Sequence, residues 1–258
     1  MFCYAGGGSA MMAESNSIPA LAGLDGQLPP DEVHVWLADL GMEERAVERL
    51  GLLLNREERE RAARFVVASA RKQFAAGRAF LRIVLGKYLG IDAAEVKFRL
   101  TSQGKPELAE NPSLHFNLSD TEGLVAVAVT RVGAVGIDVE RIREDADLLD
   151  LADRFFSEKE AAWVRSRDER ERASAFFSCW TAKEAYVKAR GGGLSIPLDG
   201  FAVIPDTKKL KLQLETFGDT GEASRWSMWR LELPAPFTGA LAVQGAVRRV
   251  RAGWLPVR

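Results

Sequence analysis

The chain has 258 residues, a formal net charge of −1 and 47% apolar residues. That is room for one large domain or two small ones, and the near-neutral balance excludes a global pull toward nucleic acid or anionic membrane. Two cysteines, Cys3 and Cys179, exclude a disulfide framework and fit a reducing, cytoplasmic setting, and no apolar run approaches the ~18 residues of a membrane span.

Residues 1–30 are small, polar or helix-breaking and predict a disordered extension. Val33 to Leu37 alternates as a short strand, followed by a helix over 42–54 and a charged helix over 56–68. Residues 71–89 are the clearest amphipathic helix: Phe74, Gly77, Leu81, Val84, Leu85 and Tyr88 line one stripe, and Gly90 ends it. Arg71, Arg78 and Arg82 flank that stripe. Arg78 is a candidate for forked phosphate contacts or, equally, half of a buried ion pair.

Val96 to Leu100 predicts a strand, and Thr101 to Pro106 a turn. Gly104 permits the tight bend and Pro106 holds Lys105 extended, which sets a lysine at a loop tip. His115 to Asp120 contains Phe-Asn-Leu-Ser, and Gly123 to Glu140 predicts a hairpin. Its second arm, Val135 to Arg141, alternates Val135, Ile137 and Val139 with Gly136, Asp138 and Glu140. The apolar set faces a core, and Asp138 and Glu140 share the other face. Paired carboxylates repel unless water or a cation intervenes, and hard oxygen ligands of this kind suit Mg²⁺. An edge strand with its polar face in water carries the same pattern. Gly136 on that face leaves room for something to approach the backbone.

Ser157 with Glu160 forms a capping box that opens a helix at about 158. Residues 165–172 predict a solvated, mixed-charge connection. Phe176 to Leu194 then organises the chain as a helix stopped by Gly191 to Gly193. Trp180, Glu184 and Lys188 fall at i, i+4 and i+8, on one face. By themselves Glu184 and Lys188 also read as an ordinary surface pair. Lys183 points about 100° away, toward nucleotide or helix packing. Further strands are expected at Phe201–Val203, around Lys208 to Leu214, at Trp226–Leu233 and at Gly239–Val247, with a short basic tail.

Six motifs occur in one order: Gly-Lys-Pro at 104–106, Phe-Asn-Leu-Ser at 116–119, Gly-Ile-Asp-Val-Glu at 136–140, Phe-Phe-Ser-x-x-Glu at 155–160, Trp-x-x-Lys-Glu-Ala at 180–185 with Lys188, and Gly-Leu-Ser-Ile-Pro-Leu at 193–198. On these the chain resembles the 4′-phosphopantetheinyl transferases of the large, monomeric surfactin-synthetase-activator type, over roughly residues 55 to 205. The resemblance implies an α+β fold, a pseudo-twofold pair of similar α/β two-layer halves at 31–131 and 132–258, with the active site between them. It implies transfer of the phosphopantetheine arm of coenzyme A to a serine of an apo acyl or peptidyl carrier protein, with release of adenosine 3′,5′-bisphosphate. Asp138, Glu140 and Glu184 would hold Mg²⁺, or Mn²⁺ in its place. Lys188 would contact the diphosphate or act as base, and a carboxylate acting through a metal-bound water is an equal candidate for the base. Arg61, Arg78, Lys105 and Ser119 would contact coenzyme A. Two departures stand out. Glu58 falls where some members carry a basic residue, and Asp120 replaces a histidine that contacts phosphate. A non-catalytic, coenzyme A-binding regulator of a synthase and an Mg²⁺-dependent phosphohydrolase are the alternatives.

Overall fold

A computed structural model of the chain describes residues 26–41, 44–144, 147–204, 209–219 and 221–255. Most of the expected N-terminal extension, including Cys3, lies outside the described residues, as does Lys208. The elements fall into two series. The first is β1 (Glu32–Asp39), α1 (Glu44–Gly51), α2 (Arg56–Ala63), α3 (Ala68–Leu89), β2 (Phe98–Leu100), β3 (Pro106–Leu108), β4 (His115–Thr121) and β5 (Leu124–Thr130). The second is β6 (Val135–Arg141), α4 (Leu148–Phe155), α5 (Glu158–Arg165), α6 (Glu169–Arg190), β7 (Phe201–Ile204), β8 (Lys211–Thr216), β9 (Trp226–Leu231) and β10 (Phe237–Gln244). Each series runs strand, three helices, four strands. In each, the last strand lies antiparallel between the first strand and the one preceding it: β5 between β1 and β4, β10 between β6 and β9. The third helix of each series has 22 residues and stops at a left-handed glycine, Gly90 (φ 67°) or Gly191 (φ 73°). The fold is α+β, and the two series share their element order but not their sheets: β2 and β3 pair apart from the first sheet, whereas β7 and β8 extend the second through β9.

The sequence places every strand of the core in register with its side-chain alternation. Val35, Leu37 and Ala126 point inward against Ile137, Val139 and Leu241 of the second sheet. Trp36, Ala38, Val125 and Val127 point outward beneath Phe80, Leu81, Val84 and Leu85 of α3. Met228, Ala240 and Ala242 carry α6 through Ala182, Ala185 and Tyr186. The order of layers is therefore α3, first sheet, second sheet, α6.

Four expectations change. Residues 123–140 are not a hairpin: β5 pairs with β4 and β1, and β6 pairs with β10. The alternation identifies both strands, but the 131–134 connection carries the chain from one sheet to the other instead of turning it back. The charged helix ends at Ala63, and α6 begins at Glu169, absorbing much of the expected solvated connection. The basic tail contains β11 (Arg249–Trp254), which crosses back to the first sheet and lies parallel to β1. The first sheet thus recruits its edge from the far C-terminus, across the 131/132 boundary. Glu32, buried on β1, pairs with Arg251 of β11 (2.9 Å) and with Arg248 just before it (2.9 Å).

Between the sheets, β4 meets β6 through side chains. Asn117 Oδ1, Ser119 Oγ and Thr121 Oγ1 accept the backbone N–H groups of Ile137, Val139 and Arg141 at 2.9, 3.2 and 3.2 Å. Every second residue of β4 satisfies every second amide of β6, doing the work of a backbone carbonyl ladder. The Phe-Asn-Leu-Ser motif is in this sense a seam between the halves.

Gly136 does leave room for a close approach, and what approaches is α6. A Cβ there would lie 2.1 Å from the Ala185 carbonyl oxygen and 2.4 Å from the Ala189 nitrogen, both main-chain atoms of the helix. Gly136→Ala is expected to destabilise the fold by about 3 kcal/mol or more, because neither backbone can yield locally. A urea midpoint within error of the parent protein would refute this packing.

Candidate active site

β6 and α6 cross at Gly136, and this crossing sets the acidic residues beside the α6 face that carries Glu184 and Lys188. Asp138 is only 4% exposed. Its Oδ1 accepts the Lys188 ammonium at 2.6 Å and the Ser119 hydroxyl at 3.0 Å. Lys188 also donates to Ser119 Oγ at 3.0 Å. Ser119 therefore uses its proton on Asp138 and receives Lys188 and the Val139 amide, which completes its hydrogen-bonding capacity. The other Asp138 oxygen, Oδ2, is buried without a hydrogen-bond partner among the described residues.

The three carboxylates feel one another. Burial pushes Asp138 up, and Lys188 and Ser119 pull it back. Burial and then the Asp138 charge push Glu140 up, although Thr121 donates to it at 3.1 Å. Burial and then Asp138 also push Glu184 up, and Glu184 has no hydrogen-bond or ion-pair partner among the described residues. The donor set is one of hard oxygens, with an orphaned lone pair on Asp138, and so it fits a hard divalent cation. Yet among the described residues no three acidic, histidine or cysteine side chains converge tightly enough to hold a metal ion. The expected Asp138, Glu140 and Glu184 site is gathered but not closed, and it is the Lys188 ammonium that stands on Asp138.

Glu184 and Lys188 open onto a cavity of about 610 Å³. Its apolar wall is Pro106, Phe155, Val187, Ile196, Pro197 and Leu198, and Arg154 and Asp199 stand at its polar side. The 193–198 motif thus serves as cavity wall. Arg154, whose guanidinium lies 5.2 Å from the Phe155 ring, was not legible as a site residue, since nothing in a mixed-charge helix distinguishes one arginine.

Lys105 lines the same cavity, but its ammonium turns into the protein. It donates to the carbonyls of Val135 (2.9 Å), Lys188 (2.7 Å) and Ala189 (3.4 Å). The α6 C-terminus is a natural cation site, and this lysine anchors α6 and β6. Burial pushes its pKa down to about 8.

Arg61 and Arg78 come together on α2 and α3. Their guanidinium carbons lie 5.2 and 5.5 Å from the centroid of the same Phe74 ring. Neither forms an ion pair among the described residues. Burial holds Arg78 below the ordinary arginine range, with Glu58 opposing and Arg61 reinforcing the effect. The buried ion pair weighed for Arg78 belongs instead to Arg82, which donates to Glu58 at 2.7 Å and to the carbonyls of Ala93, Ala94 and Val96. Glu58 also closes the α2 capping box with Asn55. The acid at 58 thus has a structural role. Asp120 turns away from the seam onto the α3 side, where Gln73 donates to it.

Lys183 is fully buried against Glu160 and belongs to packing, while Trp180 stacks on Phe176 with ring centroids 6.0 Å apart.

Comparison with known proteins agrees with this architecture. The family model described as the 4′-phosphopantetheinyl transferase superfamily matches residues 134–243, and the model of the 4′-phosphopantetheinyl transferase N-terminal region matches 43–132. The chain is 37% identical over 229 residues to 4′-phosphopantetheinyl transferase HetI of Nostoc sp., covering 88% of this chain and 91% of that protein. It is 31% identical over 156 residues to 4′-phosphopantetheinyl transferase Sfp of Bacillus subtilis, covering 60% of this chain and 68% of that protein. A solved ACPS–CoA complex from Chronobacterium ammoniagenes aligns at TM-score 0.34 and 19% identity over 44% of this chain and 97% of its own, a likeness too slight to bear on the fold. Similarity that spans both halves and nearly the whole of the Nostoc protein makes this chain a member of the 4′-phosphopantetheinyl transferase family.

Proposed function

We propose that the chain transfers the 4′-phosphopantetheine group of coenzyme A to a serine of an apo acyl or peptidyl carrier protein, with Mg²⁺, as a cytoplasmic monomer. The observation that carries the reading is the approach of Asp138 and Glu140 on β6 to Glu184 and Lys188 on α6, the latter two lining the cavity. The serine oxygen forms a bond to the phosphorus next to the pantetheine, the bond to adenosine 3′,5′-bisphosphate breaks, and the serine proton must leave. Glu184, on the cavity wall and without a hydrogen-bond or ion-pair partner among the described residues, takes that proton with whichever oxygen is not used toward a cation. Lys188 donates both of its hydrogen bonds here, which favours a cationic, phosphate-orienting role over that of base. Ser119 holds Lys188 and Asp138 in register. Arg61 and Arg78, two guanidiniums on one ring with no ion pair among the described residues, are suited to a coenzyme A phosphate. Lys105 supports the site by anchoring the end of α6. Bound at Asp138, Glu140 and Glu184, Mg²⁺ would offset charge on the diphosphate.

Intact-protein mass spectrometry of an apo carrier protein incubated with this enzyme, coenzyme A and Mg²⁺ tests the reading. A mass gain of one phosphopantetheine group, lost on adding EDTA, is expected. Coenzyme A binding with no gain on several carriers would turn the assignment toward the non-catalytic regulator.

A further inference from the structure

Asp120 places a negative charge beside the cations that suit an anionic ligand. It follows Ser119 on β4, and successive strand residues face opposite ways. Ser119 looks at β6, where it holds Lys188 and Asp138. Asp120 looks at α3, where Gln73 donates to its Oδ2 and a Cβ on Gly77 would lie 4.0 Å from its Oδ1. Gln73 and Gly77 are one turn apart on α3, and Phe74 and Arg78 each follow them by one residue. The neighbouring ridge of the helix is therefore the Phe74 ring that carries the Arg61 and Arg78 guanidiniums. Burial acts most strongly on Arg78 and on Asp138, and after it the Asp120 charge supports the ionised form of Arg78 and opposes that of Asp138. Asp120 thus lies within electrostatic reach of both the arginine pair and the acidic strand. It is exposed and makes no ion pair among the described residues.

A ligand with one anionic group at Lys188 and another on the arginine pair runs past β4 at Ser119 and Asp120. Lys188, Arg61 and Arg78 attract it, and the Asp120 carboxylate opposes them. Adenosine 3′,5′-bisphosphate keeps two phosphates after the pantetheine arm has left, so three cations without a counterweight would retain it. We propose that Asp120 sets how long the nucleotide stays: it is the repulsive element that weakens the hold of Lys188, Arg61 and Arg78 on an anion and so speeds release of the nucleotide product. The inference rests on the reading of those three residues as phosphate contacts, and it requires no metal ion.

The test is binding of adenosine 3′,5′-bisphosphate by isothermal titration calorimetry, with EDTA present throughout. Asp120→Asn keeps the shape and an acceptor for Gln73 and removes only the charge. It is expected to bind about 3-fold to 30-fold more tightly than the parent at low salt, the effect of one exposed carboxylate several Å from a multiply charged ligand. The gain should shrink at high salt, because exposed charges are screened. Gln73→Leu removes the hydrogen bond and keeps the charge, so it should not tighten binding. Equal or weaker binding by Asp120→Asn, equal tightening by Gln73→Leu, or no binding by either the parent or Asp120→Asn overturns the proposal. Arg61→Gln and Arg78→Gln separate it from the reading beneath it. If both weaken binding while Asp120→Asn does not tighten it, the arginine contacts stand and the role of Asp120 falls. If neither weakens binding, the phosphate reading of the pair falls and the proposal with it.

Discussion

Glu184→Gln is expected to lower turnover in carrier modification by about 10²- to 10⁴-fold, the usual contribution of a positioned general base. The substitution keeps the shape and removes only the charge. Glu184 lies half-buried on α6, lines the cavity, and makes no hydrogen bond or ion pair among the described residues. Nothing in the fold depends on its carboxylate. Asp138 and Glu140 both push its pKa up, after burial itself, so the folded protein is working against its charge. Glutamine should therefore leave the melting temperature unchanged or raise it. A variant that loses activity and melts early would mean that Glu184 holds the structure. A folded variant within tenfold of parental turnover would move the base elsewhere and leave Glu184 at most a ligand.

Glu160→Ala is the opposite case, with a large effect on stability. Glu160 and Lys183 are both fully buried and lie 2.6 Å apart. Glu160 Oε2 also accepts the Ser157 amide at 3.0 Å and the Ser157 hydroxyl at 2.6 Å, and Oε1 accepts the Val203 amide at 2.7 Å. Lys183 donates to the Phe201 carbonyl at 2.7 Å and lies 4.3 Å from the Phe201 ring. The pair ties α5, α6 and β7 together. Removing one partner strands a buried ammonium with its charge uncompensated, which costs about 3–5 kcal/mol. Denaturant unfolding followed by circular dichroism should show that loss. Glu160→Ala combined with Lys183→Met should recover part of it, because an apolar replacement of the whole pair avoids the stranded charge. No recovery in the double variant would mean that the amide contacts of Glu160, not the ion pair, dominate.

Much of the site was readable because it is built from local periodicity. A two-residue repeat sets Asp138 and Glu140 on one side of β6, and a four-residue repeat sets Glu184 and Lys188 on one side of α6. The capping boxes and the glycine stop are equally local: Ser157 opens α5 and Gly191 closes α6 where the sequence indicates. Arg61 and Arg78 could be nominated but not joined, since only the packing of α2 on α3 brings both to Phe74.

Lys105, Arg82 and Arg248 illustrate the limit. Each is a cation in a sequence rich in cations, and each finds a partner far along the chain: the end of α6, Glu58 on α2, Glu32 on β1. An ammonium or guanidinium takes whichever acceptor the fold brings near, and no spacing rule encodes that choice. The sequence by itself determined most of the strands and helices, the glycine stops at Gly90 and Gly191, and the faces on which the acidic residues lie, because these follow from neighbours within a few positions. Only the tertiary structure decided that β6 pairs with β10, that β11 returns to β1, that Gly136 admits a helix, and that Lys188 rests on Asp138. Those outcomes depend on burial and on contacts between distant segments, which a linear pattern cannot carry.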